Sequence, residues 1–329
     1  MKQKLTYLCT LAALLTATAC THDDAPAPGG TTEGTASAAF HIQTRADGTG
    51  IGQGQHAWLY LAERLPQLPD DEKLYCDKCY NVSNGAYLIE NLTAQWYKMA
   101  FICLPEGVEA PEPADNNHEF NDYVIDYSPV LTNQDALNPD KDLAIYRQVI
   151  DRWLLPDKTL KEDVTLTRIT GQLVLDMGIL KDQFPGKVSQ IEVTLTGVPQ
   201  KVYLHDNVDE YPDNAIMTNS LSYQFIISQE TWESNDHFRV YLDLLPFDLT
   251  DATVEVKHED ETEDGATIEF PLGAGHHGSD DTPKTISVKA NIRTTVYFRG
   301  MEDNEFEVRY AGFDNLSIDV DGGDWNGWN

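Results

Sequence analysis

The sequence predicts an all-β protein, on three observations. Apolar residues recur with period two wherever they gather, which puts alternate side chains on opposite faces of an extended strand. Turn formers interrupt these stretches at roughly 10- to 15-residue intervals, as in a sandwich of short strands. No segment holds the 3.6-residue period of an amphipathic helix for any length.

The elements follow in order. Phe40, Ile42 and Thr44 alternate with His41 and Gln43 and predict a first strand. Residues 58–61 predict a compact second strand, and residues 86–89 open a third. Residues 96–104 read as a central strand, which Pro105 stops. Residues 105–142, rich in Pro, Asn, Asp and Glu, read as a long loop, with short helices near Tyr123 and over residues 143–149. Residues 157–162 read as a polar hinge.

A second series begins at Val164 and runs through residues 166–175, a turn near Phe184-Pro185-Gly186, and strands at 191–195 and 202–204. More strands are expected at 223–227, 238–242, 253–256, 267–270, 285–288, 294–298 and 316–320. The organisation expected is two tandem β-sandwich domains, residues 38–160 and 161–329.

The start of the chain specifies export. Lys2 and Lys4 precede an apolar run from Leu5 to Leu15, then Thr16-Ala17-Thr18-Ala19-Cys20. A basic lead, a short apolar stretch and small residues before a cut mark a secretory signal, here residues 1–19. The run is too short for the roughly 20 residues that span a bilayer. A Cys directly after the small residues is what lipoprotein processing requires, so Cys20 is expected to carry acyl chains. Ala17 stands where the usual lipobox has Leu. Residues 20–37 then comprise the lipidated Cys and a tether rich in Pro, Gly, Thr and Ala.

Composition narrows the function. The formal charge is −31, from 54 acidic and 23 basic residues, which argues against nucleic acid and anionic lipid as partners of basic patches. Cys76-Asp77-Lys78-Cys79 has redox or zinc spacing, but a four-thiolate site needs a second pair, which is absent. The expectation is a local disulfide or thiols in a loop.

No catalytic motif is present, neither a Gly-x-Ser-x-Gly elbow nor His-Glu-x-x-His nor a phosphate-binding glycine loop, and the chain reads as a non-enzyme. His276-His277 reads as part of an exposed loop, and residues 258–265 as a solvated hairpin tip. Asp319, Asp321 and Asp324 have calcium-like spacing but lack the full loop and its distal Glu. No metal and no cofactor is therefore expected. Trp96, Trp153 and Trp232 are candidates for sugar platforms, with Trp96 placed in a strand that reads as core.

Thr21-His22-Asp23-Asp24, directly after Cys20, resembles the surface-export signal of Bacteroidetes lipoproteins, which implies the outer face of the outer membrane. Three further stretches resemble the fimbrillin and fimbrillin-anchor (FimB-type) lipoproteins of Bacteroidetes. Residues 92–104 resemble the strand after the family's "Leu…Gly-x-Tyr" turn, with Gln95-Trp96 in place of Gly-x. Residues 164–175 resemble its "Leu-x-Arg-x-x-Ala-x-Ile-x-Val" strand, with Gly171 where Ala is common. The ending, Ile318 through Trp328, resembles its terminal "Val…Trp" tail.

The resemblance implies transthyretin-like, Greek-key sandwiches and a fimbrial anchor or accessory subunit. Its partners would be other fimbrial subunits, with host or bacterial surface ligands for adhesion. Assembly would proceed by strand donation, in which main-chain hydrogen bonds give affinity and alternate side chains fill pockets. Phe40, Ile42 and Thr44 would form the donor or edge strand, and Arg45-Ala46 offers a trypsin-like processing site. The alternative is a surface glycan-binding lipoprotein of a polysaccharide-uptake system.

Overall fold

The computed structural model describes residues 34–44, 55–64, 73–82, 86–112, 118–134, 143–178, 187–205, 216–217, 220–234, 238–249, 252–258, 266–272, 286–298 and 306–313. The chain forms an all-β sandwich fold. Its first strands are β1 (Thr35–Gln43), β2 (His56–Glu63), β3 (Tyr75–Val82), β4 (Ala86–Thr93) and β5 (Trp96–Leu104). Then come β6 (Val124–Asp126), β7 (Tyr146–Trp153), β8 (Thr159–Thr165), β9 (Thr167–Arg168) and β10 (Gly171–Asp176). The series continues with β11 (Val188–Thr196), β12 (Pro199–Tyr203), β13 (Ile216–Met217), β14 (Ser220–Ile226), β15 (Arg239–Leu244) and β16 (Phe247–Leu249). It ends with β17 (Ala252–His258), β18 (Ala266–Pro271), β19 (Ile286–Val288), β20 (Ile292–Phe298) and β21 (Phe306–Gly312).

A first sheet has the order β4-β1-β8, and a second has the order β3-β2-β5-β7-β9. Leu59, Leu61, Tyr97, Met99, Phe101 and Cys103 from the second sheet pack with Ala38, Phe40, Ile42, Ile89 and Val164 from the first. The intervening residues of the same strands, Tyr60, Ala62, Ala100, Ile102 and Leu104, join a larger core on the opposite face. That core runs on into a third sheet, β15-β10-β20-β21, and a fourth, β14-β11-β17-β18. Alternation explains the inner face of the fourth sheet: Val188, Ile191, Val193 and Leu195 on β11 are buried, as are Ala252, Val254 and Val256 on β17.

The long connection after β5 is held by backbone and tyrosines. A 3-10 turn at Phe120–Asp122 leads into β6, which pairs with β12, and a six-residue helix follows at Ser128–Asn133. Tyr60 donates to the Pro111 carbonyl (3.0 Å), Tyr123 to that of Cys76 (2.6 Å) and Tyr127 to that of Leu143 (2.8 Å). A buried hydroxyl without such a partner would cost about 1–3 kcal/mol.

Several local expectations are corrected. Residues 143–149 are not helical; residues 146–153 form β7, because eight register pairs with β5 override local helix propensity. Residues 157–162 are no hinge, since β8 begins at Thr159 and pairs in parallel with β1. Its Lys, Glu and Asp look polar because it is an outer strand, and charges there discourage wrong pairing. Residue 160 lies inside β8. The Cys76–Cys79 segment is not a loop but β3, and Cys76, Cys79 and Cys103 are thiols with no disulfide.

Residues 166–175 do not make one strand. The chain leaves the second sheet after Arg168 and enters the third at Gly171. At Gly171 an added Cβ would collide with the Lys289 carbonyl oxygen and lie 2.7 Å from Val288 Cγ1. The β9–β10 passage therefore requires glycine where the resembling family's motif carries Ala. The short helix at Gln229–Ser234 was not expected from the sequence; Ser228 Oγ accepts from the Thr231 backbone N–H (3.1 Å) at its start. The strand expected at 316–320 lies outside the described residues.

Two predictions follow from this packing. Gly171→Ala should destabilise the fold by about 1–3 kcal/mol, seen as a lower denaturant midpoint with unchanged slope. Burial pushes the Tyr97 and Tyr223 hydroxyls up to about 12 from an ordinary 10.0. The folded chain keeps those protons where the unfolded chain releases them, so their contribution is intact below pH 10.0 and declines as pH rises toward 12. Denaturation at about pH 8 and about pH 11 should show the lower midpoint at the alkaline value.

Candidate functional site

The first candidate is β1 and the slot it fills. Along β1 the burial alternates, with Ala36, Ala38, Phe40 and Ile42 turned into the core. Phe40 meets Phe101 of β5 edge to face at 4.9 Å between ring centroids. Burying Phe40 and Ile42 contributes about 1.5–3 kcal/mol each. Thr44, just past the strand, is also buried.

β1 is a middle strand, antiparallel to β4 on one side and parallel to β8 on the other. Its ends are tied as well. The Ser37 N–H donates to the Lys158 carbonyl (3.0 Å) and the Leu166 N–H to that of Gln43 (2.8 Å). Gln43 Nε2 donates to Thr165 Oγ1 (2.9 Å), whereas the His41–Asp163 contact at 3.6 Å is exposed and weak. Cys20, Arg45 and Ala46, the expected lipidation and processing positions, lie outside the described residues.

The second candidate is a polar cluster between the second and third sheets, which sequence reasoning missed. Arg168 on β9 forms a buried ion pair with Asp243 on β15 and donates through Nε to the Thr170 carbonyl (3.2 Å). Its guanidinium lies 3.8 Å from the ring centre of Phe313. Gln172 Nε2 donates to Asp243 Oδ1 (3.5 Å), and Arg293 Nε donates to Gln172 Oε1 (2.9 Å). Gln134 Oε1 accepts from the Asp243 backbone N–H (2.9 Å). A parallel tie is made by Arg147 on β7, buried and donating through Nη1 to the Tyr203 carbonyl (2.5 Å). The available signal was a charge set between apolar residues, as with Asp243 between Leu242 and Leu244 of β15.

The other sequence candidates do not converge. Trp96 and Trp153 sit opposite each other across β5 and β7, both half-buried, while Trp232 packs against the larger core. His258 is buried at the end of β17 rather than exposed at a tip; it stands opposite Ala266 and Val188. His276, His277 and Asp319 to Asp324 lie outside the described residues. Among the described residues no group of three or more His, Cys, Asp or Glu is placed to hold a metal. Burial raises the Cys79 thiol above its ordinary value, the opposite of an activated nucleophile, with a smaller opposing effect from the Tyr60 hydroxyl.

No protein-family model matches the chain, and no curated protein matches it in sequence. Solved structures do. One is a candidate adhesin from Bacteroides thetaiotaomicron, at 13% identity and a TM-score of 0.47, covering 89% of this chain and 98% of that one. Another, from the same organism, is described as a candidate polysaccharide-binding protein, at 10% identity and a TM-score of 0.45, covering 86% and 97%. A third is the fimbrial anchor protein Mfa2 from Porphyromonas gingivalis, at 8% identity and a TM-score of 0.42, covering 85% and 98%. Likeness at this level assigns neither partner nor ligand.

The polar cluster yields a test. Removing one partner, as in Arg168→Met, strands a buried carboxylate and should cost about 3–5 kcal/mol. The paired change Arg168→Met with Asp243→Leu should recover most of that loss. Chemical denaturation of the three proteins gives the coupling; equal losses in the single and paired variants would show that the pair is not the unit.

Proposed function

We propose that the chain is a cell-surface fimbrial subunit, an anchor or accessory component, that assembles by β-strand donation. The observation that carries this reading is the seat of β1: one strand near the chain start, bonded on both sides, with four alternate side chains sunk in one core. Taking such a strand away leaves two unpaired ladders and an apolar slot, which an extended segment of another subunit would refill. In this reading the first unit runs through Arg168, where pairing with β7 ends, and the second starts at Gly171.

Position along the chain couples the strand to the anchor. Cys20 precedes β1 and Arg45 follows it, so both the acyl chains and the processing site would bear on the same strand. If β1 stays, the lipid stays and the molecule ends a fibre at the outer membrane. If cleavage at Arg45 releases β1, the slot opens and the molecule becomes a stalk or tip subunit. Adhesion to host or bacterial surfaces would then be the work of the assembled fibre.

Two measurements bear on this. Mass spectrometry of the mature N-terminus should find lipidated Cys20 for an anchor or Ala46 for a processed subunit; a start elsewhere without lipid counts against both. A chain beginning at Ala46 should bind a synthetic peptide of residues 34–44 and regain stability with it. The same peptide carrying Phe40→Asp and Ile42→Asp should bind at least about tenfold more weakly, since burial of two large side chains is lost. Equal binding of both peptides, or a truncated chain as stable as the whole, would sink the proposal.

A further inference from the structure

We propose that β14 is a docking edge for a second copy of this chain, the two β14 strands pairing antiparallel about Tyr223. The argument starts from how the sheets protect their edges. An open edge strand carries unpaired backbone donors and acceptors, and natural proteins blunt it with charge, proline or shortness. Here β4 carries Glu90, β8 carries Lys161, Glu162 and Asp163, and β3 carries Asp77 and Lys78. In the third sheet β15 carries Arg239, and β21 carries Glu307 and Arg309. Across the fourth sheet from β14, β18 carries Glu269 and Pro271.

β14 has none of these devices. Its seven residues, Ser-Leu-Ser-Tyr-Gln-Phe-Ile, hold no charge and no proline. Among the described residues it is the only edge strand longer than three residues of which that is true. Its inner side pairs with β11 over seven register positions, and no described strand pairs with its outer side. Ile226 at its end is 68% exposed, more than Leu88 or Leu155, the other large apolar residues left in solvent among the described residues. In a chain of charge −31, seven uncharged residues with an exposed Ile, at an edge with no described neighbour, form an interaction surface.

The sequence of the strand points to a second copy as occupant. Antiparallel pairing centred on Tyr223 sets Leu221 against Phe225 of the partner, Ser222 against Gln224, and Ser220 against Ile226. Apolar meets apolar on the core-facing side, where Leu221 and Phe225 already pack, and the outward side holds polar pairs with Ile226 beside Ser220. No carboxylate lies opposite another within the strand, whereas self-pairing of the fully charged edges would bring like charges together. A two-fold contact of this kind closes on itself and gives a dimer rather than a fibre. The nearest acid, Glu192 on β11, accepts from Ser222 Oγ (2.7 Å) on the outward face.

This edge lies in the fourth sheet, apart from β1 and its slot in the first, so the two proposals fail independently. Sedimentation of the whole chain tests it. A concentration-dependent dimer is expected, stronger when salt rises from about 0.05 to 0.5 M, because screening weakens repulsion between two acidic molecules. Ser222→Lys with Gln224→Lys puts like charges opposite at both pairs and should weaken the dimer by at least about tenfold, although it lowers the net charge. Ser222→Glu with Gln224→Lys puts opposite charges at the same pairs and should keep it. Circular dichroism confirms that each variant is folded. A chain monomeric at every soluble concentration, a dimer indifferent to the Lys pair, or a dimer lost equally in both variants would each overturn the proposal; binding only to an unrelated extended peptide would do so as well.

Discussion

The second sheet is buried on both sides, and much of the architecture answers that constraint. From Met99 to Leu104 every residue of β5 is fully buried, the odd ones against the first sheet and the even ones against the larger core. Such a strand needs a cover on each face, because exposed apolar surface costs about 25 cal/mol per Å². One cover is the three-stranded sheet with β1 at its centre. The other is built from the connection after β5 together with strands far along the chain. The sheet therefore cannot settle until segments distant in sequence have closed over it.

The second sheet is joined to the third by polar groups as well as apolar ones. Arg168 is the last paired residue of the second sheet, and three residues later β10 enters the third. Its ion pair with Asp243 fixes where β15 lies relative to β9, and Gln172 and Arg293 satisfy the surrounding atoms. A buried pair of this kind is weak evidence for net stability, but removing either partner leaves the other charge buried and uncompensated. Gly171 belongs to the same device, because the Lys289 carbonyl occupies the space its side chain would need.

The same physics separates the two interaction proposals. β1 is covered on both edges and offers affinity only if it leaves or is replaced. β14 has no described strand on its outer side and, in the dimer proposed, would offer affinity as it stands. Charge placed on most other edges, in a chain already at −31, leaves few places where a strand can be added without bringing carboxylates together.

The sequence by itself determined the strand content and most strand positions, because period-two alternation is a local consequence of one face being buried. β5 was read from Trp96 to Leu104 with both ends correct, and β11, β14, β17 and β20 were found within a few residues. Local reasoning failed where partners decide the outcome. Residues 146–153 became a strand through β5, and residues 159–165 became one through β1. The alternation of Phe40 and Ile42 showed a strand but not its place; its neighbours β4 and β8 start about 45 and 120 residues further on, and only tertiary pairing sets it between them. Nor does any local pattern bring Arg168 to Asp243, 75 residues away: that contact exists because two sheets meet there and each buried charge needs the other.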